Sequence, residues 1–299
     1  MTKSDEAMSE NAWFSGDWLT LREPVDHVAR SPRLESRLAA WLANCRPDPR
    51  PLQVLDLGCG HGSNLRHLAP RLPGAQHWHL VDHDDELLAR AAGHPPSHSS
   101  LTVHCHQADL AELSSLEIPT PDLVTASALF DLVSAEWIGQ LVDQCQRWQA
   151  AALLVLTVNG QRGFLDQEGQ PCQIEDFGGT PAELRDIRMQ ELFNQHQRQA
   201  KGLGTALGPD AIAELERCFQ AAGFPVLVAP SDWQLKVDDD MTRQLGPALL
   251  DGWRKAALEV APDDQALIDR WHADRCRELR AGTLGLRIGH SDLLALPDS

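Results

Sequence analysis

Three glycines alternate with other residues directly after a short apolar segment, and together they could cradle a ligand. Residues 54–57 have the length and apolar character of a buried parallel strand, and Gly58, Gly60 and Gly62 follow them. The next residues carry leucines at helical spacing, so the turn joins a strand to a helix. Glycine allows backbone angles that a Cβ would forbid, and it lets a ligand lie against bare main chain at a helix N-terminus. The spacing therefore predicts a loop that binds a nucleotide cofactor.

The position of the third glycine distinguishes between cofactors. A nicotinamide or flavin fingerprint is Gly-x-Gly-x-x-Gly, which would require a glycine where Ser63 stands. With the acid before it, the turn reads Asp56-x-Gly58-x-Gly60-x-Gly62 and resembles motif I of the class I S-adenosylmethionine-dependent methyltransferases. The resemblance implies that S-adenosyl-L-methionine is the cofactor and that Asp56 lies close to its amino group. It also implies that the glycine turn, including Cys59, packs against the methionine end.

A second acid stands at the end of the next predicted strand. Residues 76–82 read as a strand and precede a helical stretch at 86–92, so Asp82 lies at the carboxyl end of the strand. The paired ribose hydroxyls of an adenosine need a bidentate acceptor, and Asp82 follows Asp56 at about the offset of a βαβ unit that binds one. In the methyltransferase family the matching acid has this role. The alternative is an ordinary helix N-cap.

Two further strand ends extend the pattern. A third predicted strand, 101–106, leads into Asp109 and Leu110, which resemble the acidic loop where the family recognises the adenine amino edge. A fourth, 122–126, ends at Ala126 in the usual position of motif IV. Asp109 alone could be a loop acid or an N-cap, but four β-α steps in this order favour the cofactor site.

These steps predict an α/β fold of the Rossmann-like type. We expect a seven-stranded, mostly parallel sheet with helices on both faces, an N-terminal helical cap and a helical insertion before the last strand. The expected division is a cap at 1–50, an S-adenosylmethionine-binding core at 51–160, a loop and helix over the acceptor pocket at 161–208, and the C-terminal half of the sheet at 209–299, with the insertion at about 240–281.

The second half of the chain also predicts individual elements. A fifth strand at 152–158 is followed by turn residues, which favour a hairpin or loop from 159 to 176. Helical spacing resumes near Pro181. The last strand is expected at 283–289, antiparallel to a sixth at 225–229.

The charge of the chain bears on its substrate. With 26 Lys and Arg against 43 Asp and Glu, the formal net charge is −17. A protein that grips a nucleic-acid backbone normally collects Lys and Arg on one face, and no basic run appears in this sequence. We therefore expect a small-molecule methyl acceptor and no nucleic acid.

Several features bear on location. No apolar run approaches the length of a membrane span, and the acidic first ten residues are unlike a signal peptide. The seven cysteines are scattered without C-x-x-C spacing, which is typical of reduced thiols. We expect a cytoplasmic protein that makes no membrane contact and is a monomer or homodimer.

Methyl transfer from a sulfonium is an in-line displacement, so the protein must align the reacting atoms and exclude water. A base is needed only for an acceptor that is protonated at neutral pH, and Asp131 or His196 could serve. Arg22 and Arg198 are candidate substrate contacts. Each has a structural alternative: a turn acid for Asp131, the polar face of a helix for His196 and Arg198, and for Arg22 an exposed ion-pair ladder with Asp26 and Arg30.

A cysteine tripeptide resembles a different chemistry. Pro171, Cys172 and Gln173 match the catalytic tripeptide of cytosine C5 methyltransferases. They follow the fifth predicted strand instead of the fourth, and the protein is acidic, so we interpret the match as chance.

Histidines alternate on two neighbouring predicted strands. His77 and His79 share one face of the second strand, and His104 and His106 share one face of the third. No Asp or Cys completes a ligand set there, and the third strand is expected at the sheet edge, so we predict no metal site.

Two other functions remain open from the sequence. A non-catalytic protein that binds S-adenosylmethionine or S-adenosylhomocysteine as a regulator or partner subunit would carry the same glycine turn. A nicotinamide-dependent oxidoreductase is disfavoured by Ser63.

Overall fold

An eight-stranded sheet runs through the computed structural model, which describes residues 15–45, 50–97, 100–172, 181–200 and 203–297. Its strands are β1 (Leu52–Leu57), β2 (Gln76–Asp82), β3 (Leu101–Gln107), β4 (Leu123–Ser127), β5 (Ala151–Leu165), β6 (Val226–Pro230), β7 (Trp233–Leu235) and β8 (Gly285–Ala295). The spatial order is β3-β2-β1-β4-β5-β8-β6, and β7 pairs with β8 outside that path. Strands β1 to β5 are parallel, whereas β8 is antiparallel to β5, β6 and β7.

Nine α-helices lie within the described residues. They are α1 (Gly16–Ala29), α2 (Pro32–Cys45), α3 (Ser63–Leu68), α4 (Asp85–Gly93), α5 (Ala135–Trp148), α6 (Pro181–Gln197), α7 (Ala211–Ala221), α8 (Asp240–Val260) and α9 (Gln265–Arg280). Side-chain oxygens satisfy the first N–H groups of several of them: Asp84 caps α4, Ser134 caps α5 and Asp239 caps α8. In this part of the chain no helix combines the length and apolarity needed to cross a membrane.

Successive side chains of the central strands bury into two different cores. In β1, Leu55 and Leu57 pack with α5 and α7, while Leu52 and Val54 pack with α2 and α3. Because neighbouring residues of a strand point to opposite faces, these two clusters cover the two faces of the sheet. The predicted α/β class with a mostly parallel sheet is confirmed, and β3 lies at the edge as expected.

A third core lies beyond the end of the sheet. Helices α6, α8 and α9 pack on one another around Trp253 and Trp271, together with β7 and the first half of β8. The insertion expected at about 240–281 corresponds to α8 and α9. These helices carry their own apolar cluster and do not extend either face of the sheet.

The strands nearest this third core differ from the prediction. The hairpin or loop expected at 159–176 is wrong for its first part, because β5 continues to Leu165 with register shifts around Gly160. Gly160 has φ +80°, so the turn residues mark a bulge instead of a strand end. Strand β8 likewise continues to Ala295, and β7 was missed because three residues carry too little periodicity. The sheet therefore has eight strands instead of seven.

A buried carboxylate joins β8 to the N-terminal helices. Asp292 is 1% exposed, and its two oxygens accept the backbone N–H groups of Leu156 at 2.8 Å and Ser31 at 2.9 Å. Leu156 is a buried residue with φ +56°, a conformation that costs free energy for a branched side chain. Asp292 thus fixes both the irregular point of β5 and the junction between α1 and α2.

We expect Asp292→Asn to lower the free energy of unfolding by about 1–3 kcal/mol, because an amide can accept at only one of the two positions and leaves a buried N–H unpaired. Urea unfolding followed by circular dichroism measures this loss. Asp263→Asn, the same change at an exposed acid, is the control and should stay within about 0.5 kcal/mol of wild type. Equal stability of the two variants would contradict the assignment.

Candidate functional site

A cavity of about 430 Å³ opens where β1, β2 and β4 end, and we call it the strand-end cavity. It is lined by the glycine turn, by residues that follow β2, β3 and β4, and by α1. Six predicted cofactor residues lie in its wall: Gly58, Cys59, Gly60, Asp82, Asp109 and Leu110. The open ends of adjacent parallel strands are where ligands bind in sheets of this kind.

The glycine turn holds a backbone shape that other residues resist. Gly58, Gly60 and Gly62 have φ values of +61°, +53° and +83°. A Cβ at Gly62 would lie 3.0 Å from the Cβ of Ala91 in α4, so Gly62 allows the close packing of the turn on that helix. Gly62 itself is not part of the cavity wall; its role is to shape the turn.

Asp82 holds the turn in place and still has capacity for a ligand. Its Oδ2 accepts the N–H of Gly60 at 2.8 Å, and its Oδ1 accepts the N–H of Asp84 at 3.1 Å. A carboxylate has about four lone-pair positions, of which these two bonds use two, while Nδ1 of the exposed His83 lies 3.3 Å from Oδ1. The residue is 6% exposed, which keeps it rigid and largely shielded from solvent.

Asp56 lies behind the cavity wall and not in it. It is fully buried, and burial raises its pKa to about 7. Its Oδ1 accepts from Nδ2 of Asn64 at 2.7 Å, and Asn64 also donates to Thr125 and accepts from Arg30. Asn64 is the residue that lines the cavity at this point. Asp56 therefore positions Asn64, and its predicted closeness to a cofactor amino group stays a prediction.

The other two strand ends contribute differently. Asp109 caps the short turn Leu110–Ser115 by accepting the N–H of Ala111 at 2.8 Å. It also lines the cavity, so the N-cap and the ligand-binding interpretations of Asp109 are compatible. Ala126 is fully buried and lies outside the wall; the two residues after it, Ser127 and Ala128, line the cavity instead.

A second cavity of about 550 Å³ adjoins the first, and we call it the helical cavity. Its wall is built by α1, the extended parts of β5 and β8, β7, α6 and α8. Arg22, Ala128 and Leu132 line both cavities. Ala128 has φ +54°, a strained conformation for a residue with a Cβ, and such strain is common where backbone is shaped for a site.

The helical cavity has aromatic walls and a buried cation. Trp18, Phe193, Trp233 and Trp253 all line it. The guanidinium carbon of Arg162 lies 3.7 Å from the ring centre of Phe193 and 5.9 Å from that of Trp253. Its Nη1 donates to Oδ1 of Asn194 at 2.9 Å and its Nη2 to Oε1 of Gln197 at 3.1 Å. Burial lowers the pKa of Arg162 to about 9, although the negative charge of Asp131 acts to raise it.

His290 presents a neutral ring to the same cavity. Burial lowers its pKa to about 3, and the charges of Arg22 and Arg162 act in the same direction. Its Nδ1 lies 3.1 Å from the carbonyl oxygen of Ile288 and must donate there, so Nε2 carries the lone pair. Nε2 is therefore a hydrogen-bond acceptor fixed in one tautomer.

Arg22 is neutralised within the fold. Its Nε and Nη2 donate to the carboxylate of Asp26 at 2.8 and 3.0 Å, and its guanidinium lies 4.9 Å from the ring centre of Trp233. Trp233 also donates from Nε1 to Asp26 at 3.0 Å. The expected pairing with Asp26 exists, but it is buried and not an exposed ladder, since Asp26 is 7% exposed.

Of the remaining predicted site residues, two line the helical cavity and one lies outside its wall. Asp131 and His196 line the helical cavity, and Nε2 of His196 lies 2.8 Å from Oε2 of Glu259. Arg198 is exposed and makes a two-contact ion pair with Asp210 at 2.8 and 3.1 Å, outside the wall of the cavity. Arg198 directly follows Gln197, the last residue of α6.

The two groups set aside in the sequence differ in their surroundings, since His79 is buried and Cys172 is exposed. The imidazoles of His77, His79, His104 and His106 converge, with Nδ1 of His79 3.1 Å from Nε2 of His106. Among the described residues no group of three or more His, Cys, Asp and Glu is arranged to hold a metal ion. Cys172 is an exposed free thiol, while Gln173 lies outside the described residues.

Arg162 and His290 are the functional candidates that the sequence did not reveal. Both lie in the β5–β8 pair, where Arg162 stands opposite Ile288 and Val158 opposite His290. The segment around Arg162 read as a loop, so its side chain had no predicted direction. The available signal was Gly160, a glycine within the strand that indicates a bulge, with the polar Arg162 two positions later.

Part of the chain matches a known protein family. Residues 54–151 match the family described as a methyltransferase domain, and no curated protein sequence matches the chain. Similar solved structures include a loganic acid methyltransferase with SAH (9% identity, 96% of this chain and 97% of that chain, TM-score 0.49). Others are a cyclopropane-fatty-acyl-phospholipid synthase-like protein from Lactobacillus casei (14%, 94% and 94%, 0.49) and a mycolic acid cyclopropane synthase with SAH and CTAB (13%, 94% and 94%, 0.45). The family match covers the segment that contains the glycine turn.

The buried His290 makes stability depend on pH. In the unfolded chain a histidine binds its proton near pH 6.5, whereas the folded state holds His290 neutral down to about pH 3. Its contribution is therefore present above pH 6.5 and is lost as the pH falls. Between pH 6.5 and about pH 5 the loss of this contribution lowers the free energy of unfolding by about 2 kcal/mol.

We expect His290→Asn to weaken this pH dependence, since an Asn amide can donate to Ile288 but does not titrate. Urea unfolding at a series of pH values measures it. The control is His94→Asn, because exposed His94 also has Nδ1 3.1 Å from a backbone carbonyl, that of Arg90. A wild-type slope in His290→Asn would show that the buried ring is not responsible.

Proposed function

We propose that this chain, whose residues 54–151 match a methyltransferase domain, is a class I, Rossmann-like methyltransferase that transfers the methyl group of S-adenosyl-L-methionine to a small-molecule acceptor. The observation that carries the proposal is the shared wall of the two cavities, formed by Arg22, Ala128 and Leu132. Donor and acceptor must meet in line for methyl transfer, and adjoining cavities provide a place where they do.

The strand-end cavity suits the donor. S-adenosyl-L-methionine supplies a methyl group bonded to a positively charged sulfur. In our proposal Asp82 accepts the two ribose hydroxyls, Asp109 and the backbone of Leu110 bind the adenine edge, and the glycine turn packs on the methionine part. The fit is supported by the lone-pair positions that Asp82 keeps beyond its two backbone bonds and by the bare backbone at Gly58 and Gly60.

The helical cavity suits a small acceptor. About 550 Å³ is the volume of an ordinary small-molecule site, and its aromatic walls would surround an apolar body. The helical insertion supplies Leu249, Gly252, Trp253 and Ala256 to the wall, so we propose that this insertion sets acceptor specificity. The net charge of −17 argues against a nucleic-acid acceptor.

Three side chains could manage the proton of the acceptor. Asp131 adjoins Leu132, which both cavities share, so it is our preferred base for an acceptor that must lose a proton. His196 lies farther along the same wall and is tied to Glu259. Nε2 of His290 is too weak a base for this role, and we assign it the orientation of an N–H or O–H donor on the acceptor.

Titration calorimetry with S-adenosylmethionine, S-adenosylhomocysteine and NADH tests the donor site. We expect micromolar binding of the first two and none of NADH. Asp82→Asn should weaken binding about tenfold or more, because it loses a charged acceptor for the ribose. Asp85→Asn, the same change at an exposed acid three residues on, should bind as wild type does.

The outcomes separate the functions that the sequence left open. Binding of NADH without S-adenosylhomocysteine would favour an oxidoreductase and overturn the proposal. Binding of S-adenosylhomocysteine without methyl transfer to any member of a broad metabolite panel would favour a regulatory or partner protein.

A further inference from the structure

Arg162 places a largely buried positive charge in the wall of the helical cavity, and no described carboxylate pairs with it. Its Nη atoms donate to the neutral side-chain oxygens of Asn194 and Gln197, and its Nε is buried with no hydrogen-bond partner. Among the described residues no carboxylate makes an ion pair with it. Buried charges in proteins are normally paired, because removing an ion from water costs several kcal/mol.

The charge of Asp131 compensates this cation only in part. It acts on Arg162 from beyond ion-pair contact, and burial still lowers the pKa of Arg162 to about 9. Arg22, in the same wall, differs because Asp26 neutralises it through two hydrogen bonds. An anion bound beside Arg162 would remove an electrostatic cost that the protein itself leaves in place.

The surroundings of Arg162 also restrict how an anion can approach. Phe193 lies 3.7 Å from the guanidinium carbon and Trp253 lies 5.9 Å from it, and both rings are contacted through their faces. Aromatic surface therefore lies over the guanidinium, and each Nη keeps one N–H beyond its bond to Asn194 or Gln197. Edge-on contact is the geometry in which arginine binds planar carboxylates.

We propose that the methyl acceptor is an apolar small molecule that bears a carboxylate, and that this carboxylate binds Arg162. The inference rests on the proposed function and names its substrate class. One buried cation with neutral partners offsets one negative charge, which favours a carboxylate over a doubly charged phosphate. Arg162 lines the helical cavity and not the strand-end cavity, so the carboxylate is an anchor, and the reacting group lies near Ala128 and Leu132.

Matched acids and amides test the charge requirement at constant shape. Phenylacetate, indole-3-acetate and decanoate are compared with their amides by calorimetry, using the full-length protein saturated with S-adenosylhomocysteine. We expect at least one acid to bind about tenfold or more tightly than its amide, the range of a charged hydrogen bond. Phenyl phosphate is included, and tighter binding of it than of any acid overturns the carboxylate assignment.

Two variants test whether Arg162 is the partner. Arg162→Met removes the cation, and Gln197→Glu retains it but supplies a carboxylate where Oε1 now accepts from Nη2 at 3.1 Å. Both should lose the preference for acid over amide. Gln195→Glu, the same charge change at an exposed position of α6, is the control and should keep it.

Binding of S-adenosylhomocysteine by each variant, within about twofold of wild type, reports an intact fold and donor site. Failure of wild-type protein to bind S-adenosylhomocysteine would defeat the proposed function itself. Normal binding of S-adenosylhomocysteine with no acid preferred over its amide, or with the preference kept in Gln197→Glu, defeats only the carboxylate assignment.

Discussion

The hydrogen bond between Arg30 and Asn64 is the contact on which the strand-end cavity depends. Nη2 of Arg30 donates to Oδ1 of Asn64 at 2.5 Å, and Nδ2 of Asn64 donates to Asp56 and Thr125. Both ends of the Asn64 amide are therefore committed, which fixes the side chain in the cavity wall. The network joins α1, α3, β1 and β4 beneath the glycine turn. Arg30 is buried, and its Nε and Nη1 have no hydrogen-bond partner among the described residues, so loss of Asn64 would leave the whole guanidinium without one in the core.

The same network explains why the N-terminal helix belongs to the site. Arg30 ends α1 and anchors it beside α3, and Arg66 of α3 binds Glu23 through two hydrogen bonds of 2.8 and 2.6 Å. Helix α1 is thereby held across both cavities and presents Arg22 where they meet. Burial is the largest single influence and raises the pKa of Glu23, but the contacts with Arg66 together with the charges of His61 and His27 lower it below its usual value, so Glu23 is an anion at neutral pH. A helix fixed at two points can exclude water from the shared wall.

The sequence predicted the donor side of the site better than the acceptor side. Strands β1 to β4 are buried on both faces, so their apolar runs and terminal acids mark them, and Asp82 lies where a strand-end acid was expected. Asp56 is buried behind Asn64, where it accepts a hydrogen bond from the Asn64 amide. The spacing of residues in the sequence does not reveal this contact. Arg162 and His290 depend on the pairing of β5 with β8, more than a hundred residues apart. Arg198 read as a substrate contact, but only the fold brings Asp210 to it.

The anionic acceptor that we propose requires a local explanation in a protein of net charge −17. Charges on the surface are screened over about 8 Å at physiological ionic strength, so the overall charge mainly slows the approach of an anion. Inside the helical cavity screening is weak and the guanidinium of Arg162 acts at short range among aromatic rings. The long-range charge discourages polyanions, which expose many charges at once, while a single carboxylate on an apolar body gains from burial and from one strong contact. The acidic surface and the buried cation therefore select together for a small monoanion.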